Sequence, residues 1–134
     1  MFSLSSFLKP KSLGEWGEGH VAGLYRNRGF KIFDRNYFNR KGKRLGEIDL
    51  VAIKDRLVVF VEVKTRTSAR FGTPAEAVNI FKQQRLLKAC KWFLQNHPEF
   101  ADYQQRIDVV AIIADVDKTV KSVNIIENAV EDDR

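Results

Sequence analysis

Two apolar runs, Ile48-Asp49-Leu50-Val51-Ala52-Ile53 and Leu57-Val58-Val59-Phe60-Val61, constrain this chain more than any other stretch. Both are rich in β-branched and aromatic residues, and only Lys54-Asp55-Arg56 separates them. That pattern predicts two strands and a tight turn. With Asp55 and Arg56 as a two-residue loop, Lys54 faces Leu57, and paired positions sum to 111 outward along the hairpin. Asp49 then falls opposite Glu62, and Glu47 opposite Lys64. Asp-Arg is a poor dipeptide for a type I′ turn, because Arg56 would need a positive φ. A slip of one residue would put Asp49 and Glu62 on opposite faces, and the apolar pattern argues against it.

Alternation places Ile48, Leu50, Ala52, Val59, Val61 and Val63 on one face. The other face carries Val51, Ile53, Val58 and Phe60 toward the turn, and Glu47, Asp49, Glu62 and Lys64 at its far end. Both faces are expected to be covered, so the polar end stands out. Directly opposed Cβ atoms sit about 5 Å apart. Two carboxylates at that range repel by roughly 3 kcal/mol at an effective dielectric of about 20. A compensating cation is required: Lys64, Arg66, or a hard divalent metal held by oxygen ligands.

The remaining chain is consistent with a single domain of 134 residues. Residues 12–126 are expected to form the core, residues 1–11 a frayed start, and 127–134 a loosely ordered acidic tail. The net charge of +6 suits an anionic partner, nucleic acid or a membrane surface, or else simply a soluble basic protein. The single cysteine, Cys90, excludes an internal disulfide and points to a reducing, cytoplasmic location. With no Cys/His cluster, a structural zinc site is not expected. The first residues are too few and too polar for a signal peptide, and no apolar run reaches membrane-spanning length, so no membrane partner is expected.

In chain order, Ser12-Leu13-Gly14-Glu15 is a capping box that opens a helix to about Arg28, with Gly29 as its C′ residue. Trp16, His20, Val21, Leu24 and Tyr25 form its apolar stripe. Gly14, Gly17, Gly19 and Gly23 each cost about 1 kcal/mol in a helix interior, which close approach of another group would offset. Glu18 is either a solvated surface acid or one aimed at the strand carboxylates. Residues 30–38 predict a first strand. The basic loop that follows holds Arg40, Lys41, Lys43 and Arg44, which could grip phosphates beside Glu47 and Asp49. A second loop carries Arg66 and Arg70. Thr73-Pro74-Ala75-Glu76 caps a short helix that breaks near Asn79. Leu86, Ala89, Cys90, Phe93 and Leu94 then define an amphipathic helix that begins with Lys82, Gln83 and Gln84 and ends before Pro98. Cys90 sits on the apolar stripe as a small core residue. Residues 106–113 form a buried strand, in which Asp108 is either a further site acid or the partner of Arg106. A turn at 115–118 leads to an edge strand, 120–126, blunted by Lys121. The order of elements predicts an α/β fold.

Asp49 followed by Glu62-Val63-Lys64 resembles the PD-(D/E)xK nuclease signature, with Ile48 where that superfamily has proline. Gly14-Glu15-Trp16-Gly17-Glu18, Gly46-Glu47-Ile48-Asp49-Leu50, Phe60 to Arg66 and Pro74 to Val78 are more specifically similar to the YraN-like family, whose members are described as endonucleases of unsettled function. The similarity spans about residues 13–114 and extends to archaeal Holliday-junction resolvases. It implies a restriction endonuclease-like αβββαβ core, a mixed central sheet flanked by helices. It further implies Mg²⁺ or Mn²⁺ held by Asp49, Glu62, the Val63 carbonyl and Glu18, with Glu15 competing for the role of helix-one acid. Lys64 would orient or deprotonate the attacking water. Gln83 or Gln84 would lie near the site. The expected DNA-binding set is Arg40, Lys41, Lys43, Arg44, Arg66, Arg70, Lys82, Gln83 and Gln84. The expected activity is metal-dependent cleavage of DNA, branched DNA in particular, and a homodimer would suit a four-way junction. The competing expectation is a non-catalytic nucleic-acid-binding module on the same fold.

Overall fold

The computed structural model describes residues 12–37, 47–67 and 80–130. Helix α1 (Leu13–Asn27) leads into strand β1 (Lys31–Tyr37), then β2 (Ile48–Lys54) and β3 (Leu57–Arg66). Helix α2 (Ile80–Asn96) and a 3₁₀ turn (Pro98–Phe100) precede β4 (Gln104–Ala114) and β5 (Val120–Ile126). The five strands lie side by side in sequence order. Only β3 and β4 run parallel, and every other neighbouring pair is antiparallel. The expected α/β fold with a mixed sheet and the αβββαβ order is thus present, with β5 added at the edge. No helix among the described residues is long and apolar enough to cross a membrane.

The β2–β3 hairpin has the expected register. Lys54 pairs with Leu57, Ala52 with Val59 and Leu50 with Val61. Asp55 takes the left-handed conformation, φ 49°, which aspartate tolerates, so the loop does not need positive φ at Arg56. Each hairpin face is covered by a different helix. Leu50, Ala52, Val59, Val61 and Val63 pack with Val21, Ala22 and Tyr25 of α1 and with Val110 and Ile112 of β4. Val51, Val58 and Phe60 pack with Leu86, Ala89, Cys90 and Phe93 of α2. Burying each such valine, leucine or phenylalanine contributes about 1.5–3 kcal/mol. Because both faces are covered, the strands are nearly continuous apolar runs, as central strands of such sheets are. Cys90 is in this core, and burial pushes its thiol pKa well up, so it is inert.

Two expectations need correction. Ile48 does not share a face with Leu50; it packs in the α2 cluster with Val51 and Phe60. The alternation fails where Tyr37 of β1 pairs with Ile48, directly after Asn36 at φ 54°. Tyr37 packs on the same side, its ring 5.0 Å from that of Phe93. The chain after β5 is also better anchored than a loose tail. Val130 is buried in the α2 cluster, and the Ala129 amide donates to the Ile107 carbonyl at 2.7 Å. Residues 131–134 lie outside the described ones.

Asp108 is fully buried and resolves to the structural alternative. Arg106 donates to both its oxygens, Nε to Oδ1 at 2.8 Å and a terminal nitrogen to Oδ2 at 3.0 Å. Tyr25 Oη donates to Oδ2 at 2.6 Å, and the Asn128 amide to Oδ1 at 3.0 Å. This carboxylate joins α1, β4 and the segment after β5, and the fork of Arg106 supplies the charge that makes its burial tolerable.

Helix α1 begins as its capping box predicts, with the Glu15 amide donating to Ser12 Oγ at 3.1 Å. Gly29 closes it at φ 92°. Gly17 is the glycine whose missing side chain matters most. A Cβ there would sit 1.9 Å from Thr65 Oγ1 and 3.0 Å from Thr65 Cβ. Thr65 Oγ1 is buried there with no hydrogen-bond partner among the described residues. Elsewhere in a helix, glycine to alanine gains up to about 1 kcal/mol. Gly17→Ala should instead destabilise by about 1–3 kcal/mol, the usual cost of overpacking. Urea denaturation measures this, and a stabilised variant would contradict the packing described.

Candidate functional site

The polar end of the hairpin receives side chains from both helices, Glu18 from α1 and Lys82 from α2. Gly17 seats α1 against Thr65 of β3, so the next residue, Glu18, reaches the strand ends. Glu47 immediately precedes β2, and Asp49 is its second residue. One carboxylate oxygen from each of Glu18, Glu47 and Asp49 lies within 4.8 Å of the others. Asp49 Oδ2 also accepts the Val63 amide at 2.7 Å, which ties β2 to β3. From β3, Glu62 Oε1 pairs with Lys64 Nζ at 3.2 Å. Lys64 in turn contacts Lys82, in the first turn of α2.

Burial and like charge dominate the electrostatics. Burial, then the Glu62 carboxylate, with smaller pushes from Glu18 and Glu47, raise Asp49 to about 8 despite the opposing Val63 hydrogen bond. Burial and Glu47 likewise raise Glu18, with Arg35 opposing. Burial pulls Lys64 down, but its contacts with Lys82, Glu62 and Asp49 outweigh this and hold it above the ordinary lysine range. Lys82 is lowered, chiefly by Lys64. In this pair Lys64 is the firmly held ammonium.

The donor set fits a hard divalent cation. All three clustered side chains offer oxygen, with no sulfur or imidazole among them, as Mg²⁺, Mn²⁺ or Ca²⁺ prefer. Glu47 is exposed, which gives access from solvent. Burial, and after it like charge, raise Asp49 and Glu18, and such a cation would offset both. His20 does not join this group; its ring stacks on Trp16 at 5.7 Å.

Of the residues singled out in the sequence, Glu18, Asp49, Glu62 and Lys64 meet here. Glu18, rather than Glu15, is the helix acid in the cluster. Glu62 borders the three clustered acids, and Val63 meets Asp49 through its amide. Lys64 pairs with Glu62 rather than with Glu47, its expected cross-strand neighbour, because the two alternate positions on β3 share a face. Arg66 ends β3, and Lys82, Gln83 and Gln84 occupy the first turns of α2. Arg40, Lys41, Lys43, Arg44 and Arg70 lie outside the described residues, as does the proposed cap at 73–76. Two residues outside the expected metal-ligand set also stand here. The sequence pattern marks Glu47 only as part of the acidic end of the hairpin and a neighbour of Lys64, and Asn36 only as part of the first strand. One atom of its carboxamide lies 2.8 Å from Glu47 Oε1 and 2.9 Å from Glu18 Oε2. The available signal was an asparagine at a strand end, a residue type that tolerates left-handed φ.

A carboxyl group whose folded-state pKa lies above its unfolded value stabilises the protein fully below the unfolded pKa. That contribution is lost as pH rises through the folded value. With EDTA present, Asp49 should therefore make the melting temperature fall between pH 4 and about 8. Asp49→Asn, whose amide oxygen can still accept from Val63, should flatten most of that fall. Melting curves at pH 5 and 8 check this, and parallel profiles for both proteins would contradict it.

Residues 17–112 match the uncharacterised protein family UPF0102. The chain is 39% identical over 123 residues to a UPF0102 protein of Caldanaerobacter subterraneus subsp. tengcongensis, covering 91% of this chain and 97% of the relative. It is 44% identical over 119 residues to a UPF0102 protein of Syntrophomonas wolfei subsp. wolfei, covering 89% and 97%. A UPF0102 protein of Caldicellulosiruptor bescii is 39% identical over 119 residues, with the same coverage.

Proposed function

The chain belongs to the uncharacterised protein family UPF0102, and we propose that it is a metal-dependent endonuclease that hydrolyses phosphodiester bonds in DNA. The observation that carries this reading is the convergence of Glu18, Glu47 and Asp49 beside the Glu62–Lys64 pair. These acids would hold Mg²⁺ or Mn²⁺, with Glu62 at their border. A bound cation of this kind polarises a phosphoryl oxygen and lowers the pKa of a bound water.

The chain's own residues supply the rest. Lys64 stays protonated, so it serves as a fixed positive charge for the phosphate rather than as a base. Glu62 orients that ammonium through the 3.2 Å pair. Lys82, lowered by its contact with Lys64, places a second amine beside that ammonium on α2. The Val63 amide holds Asp49 in one rotamer, so the acid does not swing away from its neighbours. The net charge of +6 adds salt-dependent attraction to the polynucleotide. Branched DNA is the preferred substrate within this proposal, and a homodimer would place two sites on one junction.

The Glu62–Lys64 ion pair also favours a second reading. It satisfies the lysine without any phosphate, as a non-cleaving nucleic-acid-binding module would. Incubation with junction, flap and linear duplex DNA, with Mg²⁺ or Mn²⁺, separates the two. The nuclease reading predicts cleavage by the wild type, reduced to the EDTA level in Glu62→Ala and Asp49→Asn. Equal rates from wild type and Glu62→Ala would end it, and binding without cleavage would support the second reading.

A further inference from the structure

Asn36 ends up against the acidic cluster without carrying a charge. One of its carboxamide atoms lies 2.8 Å from Glu47 Oε1 and 2.9 and 3.2 Å from the two Glu18 oxygens. If that atom is Nδ2, it donates to both carboxylates and holds like charges together. If it is Oδ1, it faces carboxylate oxygens while Nδ2 turns onto donors, an arrangement that needs a cation, or a proton on one of the acids, between Oδ1 and its neighbours. The two orientations have nearly the same shape, and the final torsion of asparagine has a broad, two-fold profile. Asn36 is exposed, which leaves room for the turn.

We propose that Asn36 is a reversible member of the site: its nitrogen bridges Glu18 and Glu47 in the cation-free protein, and its oxygen becomes a ligand when a divalent cation binds. The inference rests on the metal-site reading above. The spacing suits both states. Oxygens held 2.0–2.1 Å from an octahedral Mg²⁺ sit about 2.9 Å from their neighbours in the same shell. The Asn36 atom already stands at that separation from Glu47 and Glu18, so exchange of nitrogen for oxygen requires little movement of either acid. The backbone contributes as well. Asn36 holds φ 54° at the end of β1, a conformation that asparagine, aspartate and glycine tolerate better than other residues do.

That tolerance supplies two informative variants. Asn36→Gly keeps the backbone and removes both functions. Asn36→Asp keeps the oxygen but cannot donate when ionised. Calorimetric titration of the full chain with Mg²⁺ alone, at pH 8, gives the affinities, and melting curves in EDTA give the cation-free stability. Asn36→Gly should weaken Mg²⁺ about tenfold or more. Asn36→Asp should bind Mg²⁺ at least as tightly as the wild type, yet melt lower in EDTA, because a further carboxylate joins the cluster. In ¹⁵N-labelled protein, the Asn36 side-chain amide resonances should shift on Mg²⁺ addition as they leave the carboxylates. Loss of affinity in Asn36→Asp equal to that in Asn36→Gly would reduce Asn36 to a bridging donor and overturn the proposal. Asp49→Asn is the control for the underlying reading. If it loses Mg²⁺ while both Asn36 variants match the wild type, the metal site stands and Asn36 has no part in it. If the wild type binds no Mg²⁺, or Asp49→Asn binds as well as the wild type, both ideas fall together.

Discussion

The β2–β3 hairpin is apolar on both faces, and most of the architecture follows from covering it. One helix covers Leu50, Val59 and Val61, and the other covers Val51, Val58 and Phe60. A sheet covered on both sides takes charge only where the cover ends or where a partner fully pairs it. The carboxylates of Glu18, Glu47 and Asp49 collect at that margin, with Glu62 and Lys64 beside them. Partial burial there makes each charge matter more than it would on an open surface. Placing like charges in such a position costs stability unless a cation joins them, and that tension is the physical basis of the proposed chemistry.

A second buried acid shows the opposite solution. Asp108 is more deeply buried than Asp49, but Arg106, Tyr25 and the Asn128 amide occupy its lone pairs. It is a joint between α1, β4 and the chain beyond β5. Asp49 has one backbone donor and three acidic neighbours instead. The two aspartates separate a structural carboxylate from one with unmet demand for positive charge.

The fold was legible because its strongest signals were local. The two apolar runs set the hairpin register, and a single polar turn left little freedom to shift it. The capping box and Gly29 bounded α1. The heptad-like stripe from Leu86 to Leu94 marked α2. What escaped depended on geometry that residue types do not announce. Ile48 changes face after a left-handed Asn36 on the neighbouring strand, which alternation along one strand cannot reveal. Val130 docks with only Ala129 beside it in a largely polar segment, too little pattern to read. The sequence offers two acids on α1, Glu15 and Glu18, and helix rotation, fixed by the contact between Gly17 and Thr65, places Glu18 at the strands. Glu47 was visible as part of the acidic end, but its proximity to Glu18 required the tertiary fold.

The central claim is that these acids form a cation site at the hairpin end. Anomalous diffraction from crystals soaked in Mn²⁺ tests it most directly. The account predicts a single strong peak bounded by the carboxylate oxygens of Glu18, Glu47 and Asp49. Ordered crystals with no peak there, or with Lys64 turned into that space in place of an ion, would contradict it.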